Sequence, residues 1–120
     1  MTLTVNQLSF KQEVLASSTP VLVNFWAPWC GVCKLVSPIL LGIRGEWGEQ
    51  LKIVDINADE NLCLSSSYQL TTLPTVLLFD QGLLLHRVDQ LSNRSDFQKA
   101  AKELQRALET SSISEYSYSA

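Results

Sequence analysis

Apolar residues along this chain gather in two kinds of stretch: short, nearly continuous runs, and longer stretches with helical spacing. The clearest run is VLVNFWA, residues 21–27, which reads as a strand in the middle of a parallel sheet. Its one polar member is Asn24. LKIVDI (51–56) predicts a second such strand, and a short one is expected at Thr2–Val5. PTVLLF (74–79) and LLLHRV (83–88) flank Asp80, Gln81 and Gly82 and predict a hairpin. Ser9 followed by Gln12 predicts a capping box, with Phe10, Val14 and Leu15 giving the next helix an apolar side before the turn SSTP. From about Val32 to Trp47, Leu35, Val36, Ile39, Leu40, Ile43 and Trp47 recur at helical spacing, and Pro38 should kink that helix. A short helix is expected from about Glu60 to Tyr68. Ser92 is expected to cap a last one, striped by Phe97, Ala101, Leu104 and Leu108.

The order β-α-β-α-β-α-β-β-α joins βαβ crossovers to a hairpin. It predicts an α/β domain with a central mixed sheet of about five strands, flanked by about four helices. No repeat or linker divides the chain, so residues 1–109 read as one domain. The Ser-rich stretch 110–120, with Tyr116 and Tyr118, reads as a flexible tail.

Composition sharpens this picture in three respects. With 120 residues, 46% hydrophobic and 18% charged, the chain can bury a core without disulfide staples. A net charge of −3, with nine Lys and Arg scattered along the sequence, argues against nucleic acid. The opening MTLTVNQLSF has neither the basic nor the apolar region of a secretory signal, and no run approaches the roughly 20 apolar residues of a membrane span. A cytoplasmic monomer, not bound to membrane, is therefore expected. In a reducing compartment a Cys-x-x-Cys pair signals redox chemistry or a metal.

That pair lies in FWAPWCGVCK, residues 25–34, directly after the central run. At a strand-to-helix junction, Cys30 meets the free N–H groups and dipole of the helix start, which stabilise a thiolate. Cys33, one turn further in, should be more buried and within disulfide range. Trp26 and Trp29 offer apolar walls and a contact surface. The metal reading needs a Cys3His set of Cys30, Cys33, Cys63 and His86. It is disfavoured because Cys63 and His86 stand 23 residues apart on different elements, not in a second tight knuckle.

Together VLVNFWAPWCGVCKLVSPIL (21–40), VDINADEN (54–61) and TLPTVLLFDQG (72–82) resemble the thioredoxin family over residues 3–108. The resemblance implies the thioredoxin fold and a protein-disulfide reductase that needs no cofactor and no metal. Cys30 would attack a protein disulfide, Cys33 would attack Cys30 to release the reduced target, and a thioredoxin-reductase-type electron donor would restore the dithiol. It also implies a cis Pro74 against the cysteines, with the backbone of Leu73 pairing with an extended substrate segment. Trp29 and Gly31 would complete that binding surface, and Lys34 would either lower the Cys30 pKa or cover the rim of the site.

Four positions depart from the family pattern. Val32 replaces the usual Pro between the cysteines, which should shift the reduction potential. Asn24 stands where a buried Asp usually assists the inner cysteine. Either resolution of the mixed disulfide is slower, or Asn24 only satisfies a core hydrogen bond. Asp55 replaces a Lys on the neighbouring strand. If the strands pair as in the family it faces Asn24, and either carries the displaced proton or is a solvated strand-end residue. Asp89 replaces a Gly, where its side chain should obstruct a substrate backbone and its charge should oppose a thiolate. Cys63 reads as a packed or idle thiol, and His86 as a surface residue. Two rival readings follow, an oxidase- or isomerase-like disulfide exchanger and a binding or regulatory module with weak redox activity.

Overall fold

A computed structural model of the chain describes residues 3–110, so all of the expected tail beyond Thr110 lies outside the described residues. At the centre is β2 (Val21–Trp26), parallel to β3 (Lys52–Asn57) on one side and antiparallel to β4 (Thr75–Asp80) on the other. The short β1 (Leu3–Thr4) and β5 (Leu83–Val88) form the edges, giving the order β1-β3-β2-β4-β5. Helices α1 (Val36–Trp47) and α3 (Arg94–Glu109) share one core with one face of this sheet. A π-helical turn (Lys11–Leu15) and α2 (Leu62–Ser67) serve the other face. This five-stranded mixed sheet with helices is the expected α/β architecture.

Two covered faces explain why β2 is almost wholly apolar. Val21, Val23 and Phe25 enter the core with Phe10, Val14 and Phe79, while Leu22 joins Leu40, Ile43 and Leu104 on the other side. Each buried Leu or Phe contributes roughly 1.5–3 kcal/mol through lost contact with water. Asn24 shares the Leu22 face and is buried. Among the described residues no helix is long and apolar enough to cross a membrane.

Local structure departs from the expected elements in four places. Ser9 does not cap a helix. The Asn6 side chain accepts from Leu8 N and Ser9 N, closing a turn before the π-helical segment begins. The helix containing Pro38 starts as a 3-10 turn, Val32–Leu35, and becomes α-helical at Val36. Pro38 thus falls in the first turn of α1, where a missing N–H costs least, and not in mid-helix. Asn93, not Ser92, caps α3 by accepting from Asp96 N at 2.9 Å. Ala100, not Ala101, joins Phe97, Leu104 and Leu108 in the buried stripe of α3. The hairpin turn forms as predicted, with left-handed φ at Gln81 (55°) and Gly82 (79°). A Cβ on Gly82 would lie 3.0 Å from the Leu15 carbonyl oxygen, so glycine is required there twice over.

Candidate active site

β2 ends at Trp26, and the chain turns through Ala27, Pro28 and Trp29, with Cys30 N donating to Ala27 O at 3.1 Å. Cys30 is thereby set just before the helical run that starts at Val32. It forms a disulfide with Cys33, with 5.4 Å between their Cα atoms. The two are almost equally buried, 6% and 5% exposed, so the expected contrast between an open and a hidden cysteine is absent in this closed form. Trp26, Val32 and Leu73 pack against the small cluster that the pair forms with Ala27. Gly31 is exposed, and a Cβ added to it would meet nothing within 4 Å.

The Leu73–Pro74 peptide bond is cis, and the loop that carries it is tied down at both ends. Thr75 Oγ1 donates to Thr72 O at 2.7 Å, and Gln90 N donates to Thr72 Oγ1 at 3.1 Å. The Thr72 contact links the Leu73 loop to the one that follows β5. In that second loop Asp89 does not stand alone. Arg87 Nε donates to Asp89 Oδ2 at 2.9 Å, and the same guanidinium donates to Tyr68 O and Gln69 O. The charge expected to oppose a thiolate is therefore paired. The left-handed backbone in this loop falls at Gln90 (φ 57°), one residue beyond Asp89. Trp29 is 70% exposed and is oriented by Asp59, whose Oδ2 accepts from the indole Nε1 at 2.7 Å. The two residues border a groove of about 220 Å³ with Leu62, Leu70 and Leu73.

A second cavity, of about 160 Å³, opens beside the sulfurs and is bounded by Asn24, Trp26, Cys30, Cys33, Lys34 and Asp55 among others. Asn24 and Asp55 are direct register partners on β2 and β3, and Asn24 Nδ2 donates to Asp55 Oδ1 at 3.0 Å. Burial pushes the Asp55 carboxyl above its ordinary pKa, and the hydrogen bond from Asn24 offsets part of that rise. Asn24 Oδ1 is buried without a hydrogen-bond partner. Asp55 is thus neither at the strand end nor fully solvated. Lys34 is exposed at the rim.

The Cys3His set is not assembled. Cys63 is exposed on α2, His86 pairs with Glu103 at 3.3 Å, and among the described residues no three His, Cys, Asp or Glu side chains are grouped to hold a metal ion. Sequence reasoning missed Asp59, Arg87 and Thr72. Of these, only Asp59 had a local signal, in the acidic cluster after β3.

Comparison with known proteins agrees with this geometry. A family model described as Thioredoxin matches residues 1–103. The chain is 47% identical to Thioredoxin 1 of Synechococcus elongatus over 85 residues, which is 71% of this chain and 77% of that protein. It is 45% identical to a thioredoxin of Porphyra purpurea over the same shares. It is also 46% identical over 78 residues to a chloroplastic M-type thioredoxin of Chlamydomonas reinhardtii, covering 65% of this chain and 56% of that one.

Proposed function

The chain belongs to the thioredoxin family of thiol–disulfide oxidoreductases, and on that premise we propose that it reduces protein disulfides, with Cys30 as the attacking sulfur and Cys33 as the resolving one. The observation that carries this reading is the Cys30–Cys33 disulfide at a helix start with Leu73 packed against it. The Cys30 thiolate would benefit from the N–H groups at the start of the helical run. Trp29 and the Leu73 loop would receive an extended target segment, with Gly31 leaving room beside them.

Each cycle passes two electrons from the dithiol to the target and leaves the disulfide form. A partner of the thioredoxin-reductase type must then return two electrons and two protons. A reducing compartment such as the cytoplasm suits a dithiol that has to be regenerated in this way. All of this chemistry lies within residues 1–109, which would act as a monomer with residues 110–120 as a tail.

The test is a redox titration of the couple against defined thiol/disulfide buffers, with free thiols trapped at each point. A midpoint near the roughly −270 mV of thioredoxin is expected. A midpoint between roughly −180 and −120 mV would make the protein a disulfide donor or isomerase, and the reductive direction would fall.

A further inference from the structure

Beside the disulfide sit an ionisable carboxyl and a buried amide to which the two-step exchange assigns no work. Asn24 and Asp55 are in register on adjacent parallel strands, joined by the 3.0 Å hydrogen bond. They border the same cavity as both sulfurs, and its volume of about 160 Å³ exceeds the roughly 30 Å³ share of one water molecule. Asn24 is only 3% exposed, yet its Oδ1 finds no donor. A buried acceptor is seldom left in that state.

Hydrogen-bond chemistry gives the reason. An ionised Asp55 only accepts, so Asn24 must present Nδ2 to it and turn Oδ1 away. A disulfide has no hydrogen to offer that oxygen, whereas a reduced Cys33 thiol has one. If Asp55 is protonated, the requirement reverses. Its O–H donates to Oδ1, and a half-turn of the amide brings Nδ2 round as a donor to the cavity.

We propose that Asp55 and Asn24 form a proton relay for Cys33, in which Asp55 takes the thiol proton and Asn24 reverses its amide to hydrogen-bond the resulting thiolate. The relay rests on the reading of Cys33 as the resolving sulfur. In the step itself, the Cys33 S–H bond breaks and an O–H bond forms on Asp55, directly or through a cavity water. The Cys33 thiolate attacks Cys30 Sγ, and the Cys30–Cys33 bond forms as the Cys30–target bond breaks. The electron pair leaves on the target thiolate, which takes a proton from solvent. In this step Cys33 is oxidised and the target sulfur is reduced, while Cys30 passes from one disulfide to another. Asp55 then returns its proton to solvent through the open side of the cavity.

Asn24 is the positioning residue and Asp55 the proton acceptor. Burial suits Asp55 to this role, because its raised pKa brings it closer to a thiol than an exposed Asp would be. Of the groups facing it, Lys34 is the basic side chain lining the cavity, Cys30 and Cys33 titrate once reduced, and Thr4 and Asn24 on the flanking strands do not ionise.

The reduced protein, mixed with a chromogenic aryl disulfide, releases one thiolate on attack and a second on resolution. Attack depends on probe concentration and resolution does not. In the wild type, resolution should rise with pH through the Asp55 pKa. Asp55→Asn should slow it about a hundredfold at neutral pH and abolish that inflection, leaving attack unchanged. Superimposable resolution profiles would overturn the relay while the reductase reading stood. Absence of the first thiolate from the wild type would overturn both. Carbon-13 titration of the Asp55 carboxyl in the wild type needs no variant. Its pKa should differ between oxidised and reduced protein, and equal values would also overturn the relay.

Discussion

At Asp55 the demands of stability and of chemistry oppose each other. The folded chain holds the proton of this carboxyl to higher pH than the unfolded chain does, because burial disfavours the ionised form. Between the ordinary carboxyl pKa and the raised one, the native state therefore binds more protons, and stability falls as pH rises. Asp55→Asn removes the charge and keeps an oxygen that can accept from Asn24. It should raise the melting temperature by a few degrees at neutral pH. The gain should disappear below about pH 4, where Asp55 is protonated in both states. Thermal melts of the two proteins across pH check this, and a more stable wild type at neutral pH contradicts it. The same substitution is expected to slow resolution, so the carboxylate would be retained at the expense of stability.

Among the elements, α3 shows how a fold can be legible while its details are displaced by one residue. Ser92 and Asn93 are both good cap residues, and Asp96 decides between them. Its N–H is capped by Asn93, and its carboxylate accepts from the backbone N and Oγ of Ser92. Asn93→Ala should cost about 1 kcal/mol in denaturant unfolding, and Ser92→Ala, which loses only an exposed contact to Asp96, less than half of that. An equal loss for both would return the cap to Ser92. The strands were easier to read because helices cover both faces of the sheet and leave unbroken apolar runs. The first capping box failed because Asn6 takes the Ser9 N–H that Gln12 would have to accept, and the Ser9 Oγ turns back to accept from Asn6 N. The pairing of Asn24 with Asp55 was legible only through the family resemblance, which implied the register that β2 and β3 adopt; strand order alone leaves a one-residue slip open. The grip of Arg87 on Tyr68 O and Gln69 O was not legible at all, since no local pattern records where a distant helix end will lie.

That grip links parts of the molecule far apart in sequence. Arg87 lies on the edge strand β5, holds the carbonyls just after α2, and pairs with Asp89 beside the loop that Thr72 anchors. One guanidinium thus joins a sheet edge to the helix over that face and pairs with the Asp89 carboxylate in the loop after β5. Its hydrogen bonds involve a charged donor, each contributing roughly 1.5–3 kcal/mol in a favourable setting and less here because the pair is partly exposed. Arg87→Ala should lower stability by about 2 kcal/mol and slow the attack of Cys30 several-fold, because an unpaired Asp89 would oppose the thiolate. Resolution, which draws on Asn24 and Asp55 across the sheet, should keep its wild-type rate. The double variant Arg87→Ala/Asp89→Ala separates the two effects by the logic of a mutant cycle. Attack should recover while the melting temperature stays low. If attack is already unaffected in Arg87→Ala, Asp89 is screened from the sulfur by its distance, and the clamp serves the joint between β5 and α2 alone.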